Sequence, residues 1–280
     1  MRCYGLDRWL INGVAGDSIS VSDRGLSYGD GLFETIAVRA GQCRFLDAHL
    51  DRLAAGCARV GIPAGDRLQL ITELEQLVGT TVHATAKIIV TRGTGPRGYR
   101  PPVECSPTRI VGVQITRPAA LAATNVRVRY CDTLISRNPA LAGLKTLNRL
   151  EQVLARAEWD DRGIEEGLML NDRGEVVCGT MSNLFFTRVG ILITPPLNEC
   201  GVGGIMRQAA MQVAQSMGIE VQERIVNKAD LKSADDIFLS NALIGIRPVA
   251  ELAGINYQRS DVTKRIMQGL FDMGVFECGL

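Results

Sequence analysis

The chain has 280 residues, 46% of them hydrophobic and 22% charged, and its 31 Lys+Arg against 30 Asp+Glu give a formal net charge of +1. That is an ordinary globular composition, long enough for two modest domains, and with no basic block it carries no nucleic-acid footprint. Eight cysteines without a Cys-x-x-Cys pair and only two histidines, His49 and His83, argue against a metal site and for reduced thiols in a cytoplasmic protein. No apolar run approaches the ~20 residues of a membrane span, and residues 1–8 lack the apolar core of a signal peptide.

Taken in order, residues 9–13 predict a short strand and turn. Residues 22–35 pack polar groups and glycines so densely that they form either a tight turn or a loop whose conformation matters. The alternation over 32–39 predicts a half-buried strand, and Ala40-Gly41 a hairpin turn. Leu46, Leu50, Leu53, Ala54, Cys57 and Val60 recur at helical spacing, and Gly61 and Pro63 stop the helix. A second helix spans 67–78 and closes at Gly79. Strands follow at 86–92 and 108–116, separated by a Gly/Pro-rich loop, 93–102, that carries Arg97 and Tyr99. The stretch 117–123 reads as a linker. Residues 126–130 alternate and open a second domain. After Lys145 comes a helix with Asn148 and Glu151 as a capping box and Leu150, Val153, Leu154 and Ala157 on its buried face. Strands near 166–170, 183–187 and 191–194, a helix over 205–217 stopped by Gly218, and a strand at 236–239 complete an α+β (mixed α/β) pattern.

Four places offer chemistry. Lys145 is a lone cation in an apolar, small-residue stretch. Lost hydration there disfavours its charged form, and a neutral amine attacks an aldehyde to form a Schiff base. A surface lysine ending a loop is the competing reading. Gly201-Val202-Gly203-Gly204 runs straight into a helix, whose first N–H groups are unpaired; with the helix dipole they make a phosphate cradle, against the plainer reading of a loop. His49 and Arg52 share a helix face, and the arginine has no evident partner in the sequence. Ser182-Asn183 enters an apolar strand. An amine, a phosphate cradle and an arginine together point to a phosphorylated aldehyde cofactor, pyridoxal 5'-phosphate.

Segments 22–35, 49–53, 91–99, 137–154, 182–185, 201–208 and 241–249 carry a family resemblance, in order, over nearly the whole chain. The sequence resembles the fold-type IV pyridoxal-phosphate enzymes, the class of branched-chain and D-amino acid aminotransferases. Its 137–154 run fits the lyase branch of that class better than the transaminases. The resemblance implies a smaller N-terminal α/β domain (1–117), a linker (118–124) and a larger C-terminal cofactor-binding pseudo-barrel domain (125–280). It implies a homodimer with the active site at the interface, and a small-molecule substrate rather than nucleic acid or membrane. Lys145 would hold the cofactor and carry a proton. Arg52, the N–H groups of Ile205 and Met206, and Asn241 with Ala242 would bind its phosphate. Val202 would pack on its ring and Asn183 would touch it. Tyr28, Thr35, Arg97 and Tyr99 would bind substrate.

One position departs. Most relatives carry a glutamate that bonds the cofactor's ring nitrogen five residues before the strand asparagine, and this chain has Cys178 there. A thiol does not enforce a protonated ring nitrogen as a carboxylate does. Either Cys178 replaces the acid or a small register shift brings in Glu175. The implied reaction is conversion of 4-amino-4-deoxychorismate to 4-aminobenzoate and pyruvate. An aminotransferase of the same fold is the alternative, and a catalytically silent binder of a phosphate ligand a third.

Overall fold

The computed structural model describes residues 8–116 and 125–279. The chain forms two compact units, Met1–Pro118 with Leu144–Asn148, and Ala119–Gly143 with Arg149–Leu280. The stretch expected as a linker, 118–124, lies outside the described residues.

The first unit is built on an antiparallel sheet of β1 (Arg8–Ile11), β2 (Val14–Ala15), β3 (Gly31–Arg39), β4 (Gln42–Cys43), β5 (His83–Thr91) and β6 (Thr108–Ile115). The strand order is β2-β1-β6-β5-β3-β4. Alternation along β3 turns Leu32, Glu34, Ile36 and Val38 to one face, and all four are buried. Helix α2 (Leu46–Val60) brings Leu50, Leu53 and Cys57 into the same core, where each fully buried Leu or Ile contributes about 1.5–3 kcal/mol. Gly56 permits the close approach: a Cβ there would lie 2.5 Å from Leu32 Cδ2. Gly61 ends α2 in the left-handed conformation and donates its N–H to the last carbonyls. Helix α3 (Arg67–Val78) starts at an Asp66 cap and ends at Gly79, as the spacing predicts. Residues 22–35, read as a turn or loop, contain a short helix, α1 (Arg24–Tyr28), capped by Asp23. Five residues are too few to show a helical period. Residues 144–148 return to this unit: Phe33 N–H donates to the Lys145 carbonyl at 3.0 Å, and Leu147 N–H to Gly31 O at 3.0 Å.

The second unit contains β7 (Val126–Tyr130), β8 (Glu166–Leu170), β9 (Val176–Gly179), β10 (Asn183–Arg188), β11 (Ile191–Thr194), β12 (Val221–Glu223), β13 (Asp236–Asn241), β14 (Gly245–Leu252) and β15 (Ile255–Asn256). The run β10-β13-β14-β7-β8-β9 closes on itself, because β9 also pairs with β10. This closed ring is the expected pseudo-barrel, and closure leaves its strands without an open edge. Val128, Leu168, Leu184, Phe186 and Leu239 belong to its main core cluster. Phe185, one residue out of phase with Leu184 and Phe186, stacks on Phe238 at 4.9 Å. Helix α4 (Leu150–Arg156) precedes β8, α5 (Ile205–Ser216) and α6 (Lys228–Lys232) flank β12, and α7 (Asp261–Asp272) follows β15. Among the described residues no helix is long and apolar enough to cross a membrane.

Helix α4 corrects the sequence reading twice. Leu150, Val153 and Leu154 are 70%, 60% and 53% exposed, and of its residues only Ala155 is buried. The apolar periodicity is real, but it faces away from this chain's own core. The capping box is absent as well. Asn148 gives its amide to the Tyr28 carbonyl at 3.2 Å, Glu151 accepts the Ser136 N–H at 3.1 Å, and the side chain of Arg149, at the cap position, makes no capping hydrogen bond.

Candidate active site

In the first unit, the edge of β3 and one face of α2 converge on a charged cluster. Glu34 lies on the apolar face of β3, where a carboxylate must find partners. Fully buried His49 donates Nδ1–H to Glu34 Oε2 at 2.6 Å. Arg52, one turn further along α2, donates Nε–H to Oε1 at 2.8 Å and a second bond to Oε2. The partnerless arginine of the sequence thus has a buried carboxylate. Burial pushes the Glu34 carboxyl up, but the hydrogen bonds from His49 and Arg52 and the arginine charge outweigh it and hold it below the usual range. Burial pulls His49 below its ordinary value against the pull of Glu34, and the charges of Arg52 and Lys145 pull the same way as burial. His49 is therefore neutral near pH 7, and its Nε2 is buried without a hydrogen-bond partner.

Lys145 is half-buried, with Nζ 4.1 Å from the centre of the Phe33 ring. Phe33 and Thr35 share the β3 face opposite Glu34, and Thr35 pairs in register with Lys87. Tyr28 and Tyr99 meet edge to face at 5.5 Å, while Arg97 and Tyr99 expose their side chains.

In the second unit, the glycine-rich turn leads into α5 as the sequence predicts. Its cap residue, Gly204, offers no side chain to the first N–H groups, those of Ile205 and Met206 among them. Asn183 braces the turn by donating Nδ2–H to Val202 O at 2.8 Å, and Gly143 and Val202 form a parallel bridge. Asn241 donates to Met181 O at 3.2 Å and accepts the N–H groups of Leu243 and Ile244 at 2.9 and 3.0 Å, which shapes the turn containing Ala242. The glycine-rich turn thus leads onto a helix N-terminus without a side-chain cap, a favourable place for an anion. A Cβ on Gly204 would lie 2.0 Å from Asn183 Oδ1. Gly204→Ala is therefore expected to displace Asn183 and weaken phosphate-ligand affinity at least about tenfold, roughly one lost hydrogen bond to a charged group. A binding titration checks it, with a melting curve to separate lost affinity from lost stability.

Cys178, not Glu175, sits opposite Asn183 in the β9–β10 pairing. Glu175 is occupied at the preceding turn, accepting the Asn171 amide at 2.6 Å. Burial, with the nearby Glu166 and Cys200, pushes the Cys178 thiol up to about 12 against the opposing pull of Arg149. The thiol is thus neutral at any physiological pH. Glu166, missed in the sequence, is buried beside it and accepts from Thr180 N at 3.0 Å, Thr180 Oγ1 at 2.5 Å and Ser182 Oγ at 2.9 Å. It fixes the 179–182 turn. The one signal for it was an acid at the start of an otherwise apolar strand.

The Amino-transferase class IV family model matches residues 31–252. The crystal structure of 4-amino-4-deoxychorismate lyase from Pseudomonas aeruginosa is similar at a TM-score of 0.86 and 44% identity, covering 95% of this chain and 98% of that one. Aminodeoxychorismate lyase of Vibrio harveyi is 32% identical over 93% of this chain and 98% of its own length. D-alanine aminotransferase of Bacillus licheniformis is 26% identical over 85% of this chain and 84% of its own.

Proposed function

The chain belongs to the class IV amino-transferase family, and from that premise we propose that it is a pyridoxal-phosphate-dependent lyase that splits 4-amino-4-deoxychorismate into 4-aminobenzoate and pyruvate. The observation that carries this reading is a similarity to the Pseudomonas lyase that runs through almost the full length of both chains. The residues present fit the cofactor. The uncapped start of α5 suits a phosphate, Arg52 is a cation already oriented by Glu34, and Lys145 is an amine for an aldehyde. We assign the phosphate to Arg52, Ile205, Met206, Asn241 and Ala242, the ring to Val202 and Asn183, and the substrate to Tyr28, Thr35, Arg97 and Tyr99.

When bound, the cofactor draws electron density from the ring carbon that bears the substrate amine. Lys145 Nζ takes the hydrogen of that carbon as a proton. The electron pair left behind closes a ring double bond as the bond from the ring to the enolpyruvyl oxygen breaks. The departing enolate takes a proton at its methylene carbon and becomes pyruvate. Atoms balance with no oxidant or water consumed, and aromatisation drives the step.

Cys178 favours this elimination over amino-group transfer. A neutral thiol gives the ring nitrogen of the cofactor no fixed negative charge, so electron withdrawal is weaker. Aromatisation tolerates that loss; an aminotransferase, which must stabilise and reprotonate a carbanion, does not. Cys178→Glu is expected to raise D-alanine transamination by ~10-fold, equivalent to about one unit in the ring nitrogen's pKa. It should also shift the absorbance of the bound cofactor. An intact fold with neither change counts against this role.

The whole assignment is tested by incubating the protein with 4-amino-4-deoxychorismate and following 4-aminobenzoate fluorescence with matching pyruvate. No product, alongside brisk amino-group exchange with pyruvate, would establish the aminotransferase alternative instead. A homodimer is part of the proposal, because the exposed apolar face of α4 needs a cover. Light scattering should give about twice the 30.3 kDa chain mass. The seven described cysteines are all free, which suits the cytoplasm.

A further inference from the structure

We propose that Arg24 is a positioning residue, its buried guanidinium clamping two consecutive carbonyls of the loop 93–102 so that Arg97 and Tyr99 are held ready for a carboxylate of the substrate. The inference rests on the substrate role given to Arg97 and Tyr99 above.

Arg24 is only 3% exposed. Its Nη1 donates to Gly98 O at 2.9 Å, its Nη2 to Tyr99 O at 3.2 Å and its Nε to Asp30 Oδ2 at 2.8 Å. Asp30 is itself gripped by Arg92, from Nε at 2.8 Å and Nη2 at 3.0 Å. Arg92 in turn donates to Val60 O and Gly61 O at the end of α2. The base of the clamp is equally fixed. Asp23, which caps α1, accepts from Thr91 Oγ1 at 3.0 Å and Thr108 Oγ1 at 2.6 Å, tying the helix to β5 and β6. The loop is cut to fit. A Cβ on Gly95 would lie 3.0 Å from Arg24 Cδ, and Gly98 has φ +108°. Gly98 N–H donates to the Tyr28 hydroxyl at 3.0 Å.

The backbone is thus held from beneath while the recognition groups face outward, Tyr99 being 85% exposed. A loop kept only for the fold would bury side chains. This one buries the arginine that shapes its backbone and leaves Arg97 in water, an arrangement that orders the binder before the ligand arrives. A planar fork holds both carbonyls and the carboxylate in fixed directions at once; a lysine, a point charge on a flexible stem, does not fix them so.

The test compares Arg24→Met, Arg24→Lys and Gly98→Ala in the cofactor-loaded enzyme, with Arg97→Ala as control. Asp30 keeps Arg92 in the Arg24 variants. Gly98→Ala strains the same turn from its exposed side and decides the matter should Arg24→Met not fold. Arg24→Met and Gly98→Ala are expected to raise KM for 4-amino-4-deoxychorismate at least about tenfold, with kcat within about twofold. Cofactor affinity and absorbance should stay unchanged, amide exchange over 97–100 should quicken, and Arg24→Lys should fall between. A folded variant with unaltered KM, or with kcat falling as far as kcat/KM, overturns the proposal. If Arg97→Ala leaves KM unaltered, the substrate assignment is what fails. The clamp is then judged by exchange alone, and unchanged exchange over 97–100 in Arg24→Met overturns it.

Discussion

Lys145→Ala is expected to lower 4-aminobenzoate formation at least about 10³-fold, because one side chain is asked both to hold the cofactor and to move the proton. Proton transfer by a positioned group alone is typically worth about 10²–10⁴ in rate. The fold should survive: Lys145 contributes its carbonyl to the Phe33 N–H, which alanine keeps, while the contact of Nζ with the Phe33 ring is lost. The variant should still bind the cofactor through its phosphate but release it on dialysis, with the absorbance of the free aldehyde. Lys145→Arg keeps the charge over Phe33 without a nucleophilic amine and should be equally inactive. Either variant retaining activity within about tenfold of the parent would remove Lys145 from the chemistry.

Glu34→Ala is expected to destabilise the protein by about 3–5 kcal/mol, the cost of leaving buried cationic and N–H donors without their acceptor. For a chain of this size that lowers the melting temperature on the order of 10 °C. The loss would also free Arg52 to turn, so phosphate-ligand affinity should fall roughly 10- to 100-fold, the worth of one or two charge-assisted hydrogen bonds. Thermal melts and a cofactor titration separate the two effects. The sign of the pH dependence follows from the depressed carboxyl. Glu34 holds its proton less tightly folded than unfolded, so its contribution is complete above the unfolded value of about 4.5 and is lost as pH falls through the lower folded value. The parent should therefore lose stability below about pH 4.5 more steeply than Glu34→Gln. Parallel acid unfolding of the two would remove Glu34 from the linkage.

Much of this was written in local pattern. The helices at 46–60 and 67–78 emerge at their predicted bounds because apolar spacing and a terminal glycine act within a few residues. The glycine turn before α5 was legible for the same reason. Glu34 was legible and overlooked: it is the one acid among Leu32, Ile36 and Val38, and an acid on a strand's apolar face must have buried partners. What those partners are depends on α2, 15 to 18 residues away, which no local pattern encodes. Arg24 was hidden because its partners at 98 and 99 are carbonyls, which every residue has. Helix α4 misled because periodicity reports that a face is apolar, not what covers it. Cys178 needed the β9–β10 register, set by the turn that Glu166 ties together.

The brief return of residues 144–148 to the first unit has a consequence for how the protein is made. A ribosome that has delivered Pro118 has released all six strands of the first sheet but not the segment that satisfies Phe33 and Gly31. The start of β3 lacks that cover until the chain has been extended through Leu147. An uncovered strand edge is an invitation to wrong pairing. Birth order therefore places Lys145, the amine proposed to meet the cofactor, in the last stretch of its own unit, and that unit is complete only after the barrel sequence has begun to emerge.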